Sequence, residues 1–135
     1  MRHAPVPQAS FDLLHLAARG LAVAATASTA GERYAEAHLA SLRAASAVLA
    51  ARAQPARVRR GPSSVWSLLP EVAPELGEWS AFFAAGAGKR AAAEAGLPVV
   101  STREADDLLR DSATFLALVE TTLGLDHQVA LPLTG

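Results

Sequence analysis

Apolar residues recur along this chain at steps of three and four, the spacing that lines up side chains on one face of an α-helix. The first predicted helix follows Ser10, a good N-cap residue, and runs to residues 26–28. The second covers residues 30–53 and starts behind Thr29 and Glu32, which have capping-box spacing. The inward stripes are predicted to be Phe11, Leu14, Ala18, Leu21 and Ala25 on the first helix and Tyr34, His38, Leu42, Ala45 and Leu49 on the second.

The third predicted helix covers residues 63–96 and contains Pro70 and Pro74. Each proline removes one intrahelical hydrogen bond, but the apolar residues keep a single helical phase across both. The pattern therefore predicts one kinked helix, or two nearly collinear ones. Its inward stripe consists of Val65, Leu69, Val72, Leu76, Trp79 and Phe83, widened by Trp66, Leu68 and Phe82.

The fourth predicted helix begins behind a second capping box, formed by Ser101 and Glu104, and ends at Gly124. Alanine, leucine, arginine and glutamate are abundant and β-branched residues are seldom clustered, which favours helix, so we expect an all-α fold. At 135 residues the chain is one domain in size, and we place the helical domain at residues 10–124 between flexible ends at 1–9 and 125–135. The inward stripe of the last helix is predicted to be Leu108, Leu109, Ser112, Phe115, Leu116, Val119 and Leu123.

Composition and charge add four expectations to this picture. Alanine supplies 32 of the residues and aromatics only 5%, so an isolated monomer has a thin core and a homodimer is expected. The formal charge of −1 argues against a globally basic nucleic-acid-binding protein. The chain contains no cysteine, which fits a cytoplasmic protein, and no run of about 18 apolar residues that would span a membrane.

Positive charge is concentrated in the segment "QPARVRRGP", which contains Arg57, Arg59 and Arg60. The segment is either a solvated connector or a loop that contacts phosphate, since arginines that neutralise phosphates give salt-dependent affinity for RNA.

The candidate for chemistry is the pair Arg33 and His38 on the second predicted helix. An imidazole can exchange a proton with a ribose hydroxyl or a leaving oxygen, and a guanidinium can stabilise a charged phosphate. These groups would suffice for a metal-independent ribonuclease. The alternative is structural, because His38 lies in the inward stripe and five helical steps turn the two residues about 140° apart. The spacing of the four histidines predicts no metal site, and no cofactor motif is present.

The segments "RYAEAHLASLRAASAVLAAR", "SSVWSLLPEVAPELGEWSAFFAAGAGKRAAAEAG" and "TREADDLLRDSATFLALVE" together resemble the HEPN superfamily (higher eukaryotes and prokaryotes nucleotide-binding). They look most like a small, alanine-rich actinobacterial branch of it. The resemblance implies an up-and-down four-helix bundle, with a kinked third helix here, that forms homodimers. In many members it also implies an endoribonuclease with an R-x4-6-H motif, whose spacing Arg33 and His38 satisfy.

Three functions follow as hypotheses. The first is a dimerising module that binds a nucleotide, RNA or a protein without catalysis. The second is a toxin-like ribonuclease that uses Arg33 and His38, with the arginine-rich loop steering RNA and a cognate antitoxin or nucleotidyltransferase as its partner. The third is a structural adaptor that only associates through its helices.

Overall fold

The computed structural model describes residues 5–52 and 62–125, with side chains from residue 65 onward in the second range. Residues 1–4 of the first predicted flexible end and residues 126–135 of the second lie outside these ranges. The described part is all-helical and contains no strand, and none of its helices is long and apolar enough to cross a membrane. Its helices are α1 Gln8–Ala25, α2 Ala30–Arg52, α3 Pro62–Val72, α4 Gly77–Glu94 and α5 Thr102–Thr122, with a short 3-10 turn at Pro74–Leu76.

Helix α1 corrects two predictions. It begins at Gln8, before Ser10, and the buried hydroxyl of Ser10 donates a hydrogen bond to the carbonyl of Ala47 on α2 at 2.7 Å instead of capping a helix. The inward stripe is also shifted from the predicted one, because small residues face α2 and allow close approach. A Cβ built on Gly20 would lie 3.3 Å from the Cβ of Ala40. The buried residues of α1 are Ser10, Leu14, Ala17, Gly20 and Ala24.

Helix α2 is the centre of the fold and packs against each of the other four α-helices. Its burial extends around much of its circumference, as expected for a helix surrounded by neighbours. Alanines make up much of this buried surface, so neighbouring helices can lie close to the α2 backbone. The buried residues of α2 are Tyr34, Ala37, His38, Ala40, Ser41, Ala44, Ala45, Ala47, Val48 and Leu49.

Between α3 and α4 the chain leaves the helix at Ala73, whose φ of −146° and ψ of 75° lie outside the helical region. The cause is Pro74, because a proline disfavours helical geometry in the residue before it. Two separate α-helices therefore stand where the sequence predicted one kinked helix or two nearly collinear ones, and the described part has five α-helices instead of four.

Pro70, in contrast, is accommodated inside α3. It has no N-H to offer the carbonyl four residues earlier, which belongs to Trp66. That carbonyl accepts a hydrogen bond from the hydroxyl of Ser80 on α4 instead, at 2.5 Å. The proline thus frees an acceptor that joins α3 to α4.

Helix α5 confirms the predicted caps. Ser101 accepts a hydrogen bond from the backbone N-H of Glu104 at 3.0 Å, and Glu104 accepts one from the backbone N-H of Ser101 at 2.9 Å. The last turn is followed by Gly124, with φ of 76°, a left-handed conformation that favours glycine. All predicted inward residues of α5 are buried except Leu109, which is half-buried.

An aromatic cluster fills the space between α3, α4 and α5. The ring centroids of Trp66 and Phe83 lie 5.3 Å apart, those of Phe83 and Phe115 5.0 Å, and those of Trp79 and Phe115 5.7 Å. Both tryptophans and two of the four phenylalanines are therefore concentrated in one place. Phe82 was predicted to face inward but is 46% exposed, because the neighbouring Phe83 takes the inward position.

The C-terminal ends of α3 and α5 are held by Arg52, at the end of α2. Its guanidinium donates hydrogen bonds to the carbonyls of Val72 and Thr122, each at 3.0 Å. These carbonyls belong to the last turns of their helices, which lack intrahelical partners. One side chain therefore joins the ends of three helices.

Candidate functional site around His38

His38 lies near the middle of α2 and is fully buried. Its Nε2 lies 2.8 Å from the carbonyl oxygen of Phe83 on α4. Because a carbonyl can only accept, Nε2 carries the proton and Nδ1 is free to accept. Nδ1 accepts from a guanidinium N-H of Arg90 at 3.4 Å. Both ring nitrogens therefore have partners within the chain.

These surroundings favour a neutral imidazole. Burial lowers the pKa of His38 and is the largest cause of the shift, and the positive charge of Arg90 lowers this pKa further. The hydrogen bond to the Phe83 carbonyl and the more distant charge of Glu94 act in the opposite direction but do not reverse it. The ring therefore stays uncharged to a lower pH than a solvent-exposed histidine does.

Three aromatic rings hold the imidazole in place. Tyr34 stacks on it at a centroid distance of 6.4 Å and an interplanar angle of 17°. Trp66 and Phe83 meet it edge-on, at 6.1 Å and 5.8 Å. Since Tyr34 lies four residues before His38 on α2, this stacking follows directly from helical spacing.

Arg33 is also held by the protein, but by a different set of groups. Its guanidinium donates to the carbonyls of Ala24 at 3.1 Å and Ala27 at 3.2 Å, and to the carboxylate of Asp106 at 2.7 Å. The two carbonyls lie at the C-terminal end of α1, where helical carbonyls lack intrahelical partners. Arg33 therefore caps α1 and connects it to α5.

The hydrogen bonds of Arg33 and His38 thus go to separate partners, and the arginine that contacts His38 is Arg90. The predicted burial of His38 is confirmed. Arg57, Arg59 and Arg60, the predicted phosphate contacts, lie outside the described residues. Within the described ranges, no group of three His, Cys, Asp or Glu residues could hold a metal ion.

Sequence reasoning missed Arg90. Its side chain is only 14% exposed, its Nε lacks a hydrogen-bond acceptor, and its closest carboxylate oxygen is that of Glu94 at 3.8 Å. A signal was present, because Arg90 follows the buried Phe83 by seven residues and so lies on the same face of α4. The alanine-rich run around it contains few large apolar residues that would have marked this face.

A pocket of about 240 Å³ opens beside the His38 ring. Gly86 permits this arrangement, since a Cβ at that position would lie 2.9 Å from the Tyr34 hydroxyl. At the rim, Lys89 donates a hydrogen bond to Glu104 on α5. This bond raises the pKa of Lys89 and lowers that of Glu104, so both groups are charged near neutral pH. The pocket is lined by Tyr34, His38, Phe82, Phe83, Ala85, Gly86, Lys89 and Leu108.

Comparison with known families identifies the class of protein. A family model described as SAV_6107-like HEPN matches residues 24–120, from the end of α1 through most of α5. This match covers more than half of the chain, so the chain belongs to that HEPN family, and the resemblance in the sequence is confirmed. No curated protein and no solved structure matches the chain.

Proposed function

We propose that this protein is a HEPN-family binding module that works as a homodimer and uses Arg33 and His38 to stabilise its fold, without catalysis. The observation that supports this proposal is the state of His38, which is fully buried with both ring nitrogens bonded within the chain. A general base needs a free lone pair within hydrogen-bond reach of the proton that it removes. The lone pair of His38 is directed at Arg90 instead.

Arg33 supports the same conclusion. A catalytic guanidinium must offer its donors to the phosphate as charge develops there. The N-H donors of Arg33 instead bind two carbonyls at the end of α1 and the carboxylate of Asp106. Freeing Arg33 for a phosphate would leave the end of α1 without its cap.

Cleavage of single-stranded RNA in the presence of EDTA tests this proposal, with His38→Gln as the matched variant. A glutamine amide can donate to the Phe83 carbonyl and accept from Arg90, but it cannot exchange a proton near neutral pH. We expect neither protein to cut RNA faster than a protein-free control. RNA cleavage by the wild type that is lost in a folded His38→Gln protein would instead establish the metal-independent ribonuclease, with an antitoxin or nucleotidyltransferase as its partner.

The proposed ligand is RNA or a nucleotide, contacted by Arg57, Arg59 and Arg60. Fluorescence anisotropy with a labelled single-stranded RNA should show affinity that falls steeply as salt rises, because phosphate contacts release counterions. Replacing all three arginines by glutamine should weaken binding and flatten the salt dependence. Binding that ignores both salt and these substitutions would favour the structural adaptor.

The proposed dimer contact is the surface around Phe82 and Leu118, which are 46% and 37% exposed. Phe82 and Asp111 line one pocket, and Leu118 follows Asp111 by two helical turns on the same face of α5. Light scattering should give twice the chain mass of 13.9 kDa for the wild type and the single mass for Phe82→Asp. The control is Val23→Asp, at a residue of α1 that is 52% exposed, which should remain a dimer. A monomeric wild type at micromolar concentration would contradict the dimer.

A further inference from the structure

The hydroxyl of Tyr34 is a polar group of the pocket beside His38. Tyr34 as a whole is only 8% exposed, but its hydroxyl does not belong to the buried polar atoms that lack a hydrogen bond in the described part of the chain. The hydroxyl is therefore accessible from the pocket and can meet a ligand there. The position of Gly86 directly opposite keeps the space in front of the hydroxyl free of a side chain.

Tyr34 presents this hydroxyl to the pocket as a donor. Burial raises the pKa of Tyr34, and the charge of Glu104 raises it further, against the opposing effect of Lys89. The phenol is therefore protonated at neutral pH and can donate a hydrogen bond to a ligand atom.

Lys89 supplies the second donor. Its ammonium group has three N-H donors, one of which binds Glu104, and its side chain is 37% exposed at the pocket rim. The side chains of Tyr34 and Lys89 both line the pocket, although they come from different helices. They are also the only tyrosine and the only lysine of the chain.

The rest of the lining is apolar. Leu108 and the rings of Phe82 and Phe83 form it, and Phe82 is half-exposed. The volume of about 240 Å³ is smaller than the roughly 300–1,000 Å³ of pockets that take drug-sized molecules. The pocket therefore suits a small ligand with one acceptor end and one flat apolar end.

We propose that this pocket binds a small molecule that carries an oxyanion, a carboxylate or a phosphate, on a flat apolar body. The oxyanion accepts hydrogen bonds from the Tyr34 hydroxyl and the Lys89 ammonium, and the apolar body packs against Phe82 and Leu108. The proposal goes beyond the function proposed above, because it assigns a ligand to this pocket, and it shares Phe82 with the proposed dimer contact.

The single tyrosine and single lysine make the test specific. Protein labelled with 13C at tyrosine Cζ and 15N at lysine Nζ gives one NMR signal for each residue, and both belong to the proposed site. The probes are benzoate and phenyl phosphate, with benzyl alcohol as the uncharged control. We expect both anions to shift both signals saturably, and the tighter of the two identifies the preferred oxyanion. Benzyl alcohol should bind at least tenfold more weakly, since hydrogen bonds to charged groups are the stronger ones.

Two variants separate the site from general effects of mutation. Tyr34→Phe removes only the hydroxyl and should weaken binding of the preferred anion about tenfold, measured on the lysine signal. Gly86→Ala places a methyl group 2.9 Å from the Tyr34 hydroxyl and should abolish binding. Its matched control is Gly88→Ala, on the same helix, where a Cβ has no neighbour within 4 Å and binding should be unchanged.

Three outcomes would overturn the proposal. A pocket that holds only water would give no saturable shift with either anion. Equal affinity for benzyl alcohol and benzoate would show that the oxyanion does not contribute to binding. Unchanged affinity in Tyr34→Phe would show that the anion binds elsewhere. All of these results are independent of RNA cleavage. Because Phe82 also lies in the proposed dimer contact, light scattering of each variant separates a loss of binding from a change in oligomeric state.

Discussion

The buried neutral His38 makes the stability of this protein sensitive to mild acid. When the chain unfolds, the imidazole enters water and regains a pKa near its ordinary value of 6.5. In the folded state burial lowers this pKa, so the unfolded chain binds more protons as the pH falls below 6.5. The contribution of His38 to stability is therefore fully present above pH 6.5 and is lost progressively as the pH falls toward the folded-state pKa.

The size of this effect follows from proton linkage. Stability changes by about 1.36 kcal/mol per pH unit for each proton bound only by the unfolded chain. If the folded ring stays neutral, lowering the pH from about 7.5 to about 5.5 costs about 1.4 kcal/mol. This loss is a large fraction of the stability of a small domain, which is about 5–15 kcal/mol.

The assay is urea unfolding followed by tryptophan fluorescence across this pH range, for wild type and His38→Gln. The variant keeps the hydrogen-bonding geometry but cannot be protonated, so the difference between the two proteins isolates His38 from carboxylates that titrate in both. We expect the wild type to lose about 1.4 kcal/mol more than the variant. Identical pH profiles, or a wild type that gains stability on acidification, would refute the reasoning.

Three further predictions concern the fold and can be measured by the same urea unfolding at neutral pH. Phe115→Ala removes a fully buried ring and should lower the unfolding free energy by about 3–5 kcal/mol. Its control, Val23→Ala at an exposed position, should change the unfolding free energy by no more than about 0.5 kcal/mol. Similar values for both variants would contradict this packing. Ser101→Ala removes the α5 cap and should cost about 1 kcal/mol, and no loss would exclude the capping box as a stabilising element. Arg33→Met leaves carbonyls at the end of α1 unpaired and should lower the unfolding free energy by about 1–3 kcal/mol. Asp106→Asn, at a half-exposed carboxylate, should lower it by only about 0–1 kcal/mol. The reverse order would show that the ion pair matters more than the cap.

The two ends of α2 and the start of α5 were the most predictable parts of this fold. The second predicted helix, at residues 30–53, matches α2 at Ala30–Arg52, and the capping box at Ser101 is present as predicted. Capping depends on residues three positions apart and needs no knowledge of the tertiary structure. The predicted inward stripe of α1 was wrong because small residues face α2. The prediction assumed that large apolar residues face the core, and this assumption fails where two helices pack closely.

The candidate site was predictable only in part. His38 was predicted to face inward from its place in the α2 stripe, which the structure confirms. Its contacts with Phe83 and Arg90 were not predictable, because 45 and 52 residues separate these partners from it along the chain. The break at Ala73 sets the direction of α4, and therefore which residues of α4 meet α2. A helical repeat in the sequence gives the faces of a helix but not its neighbours.

The central position of α2 has a consequence for amide hydrogen exchange. Because every other α-helix packs on it, no single helix can detach and leave the middle of α2 open to solvent. Amides near Ala44 should therefore exchange with deuterium only through complete unfolding, at rates that report the full unfolding free energy. Amides of α1, whose main neighbour is α2 alone, can exchange through local opening and should lose their protection earlier.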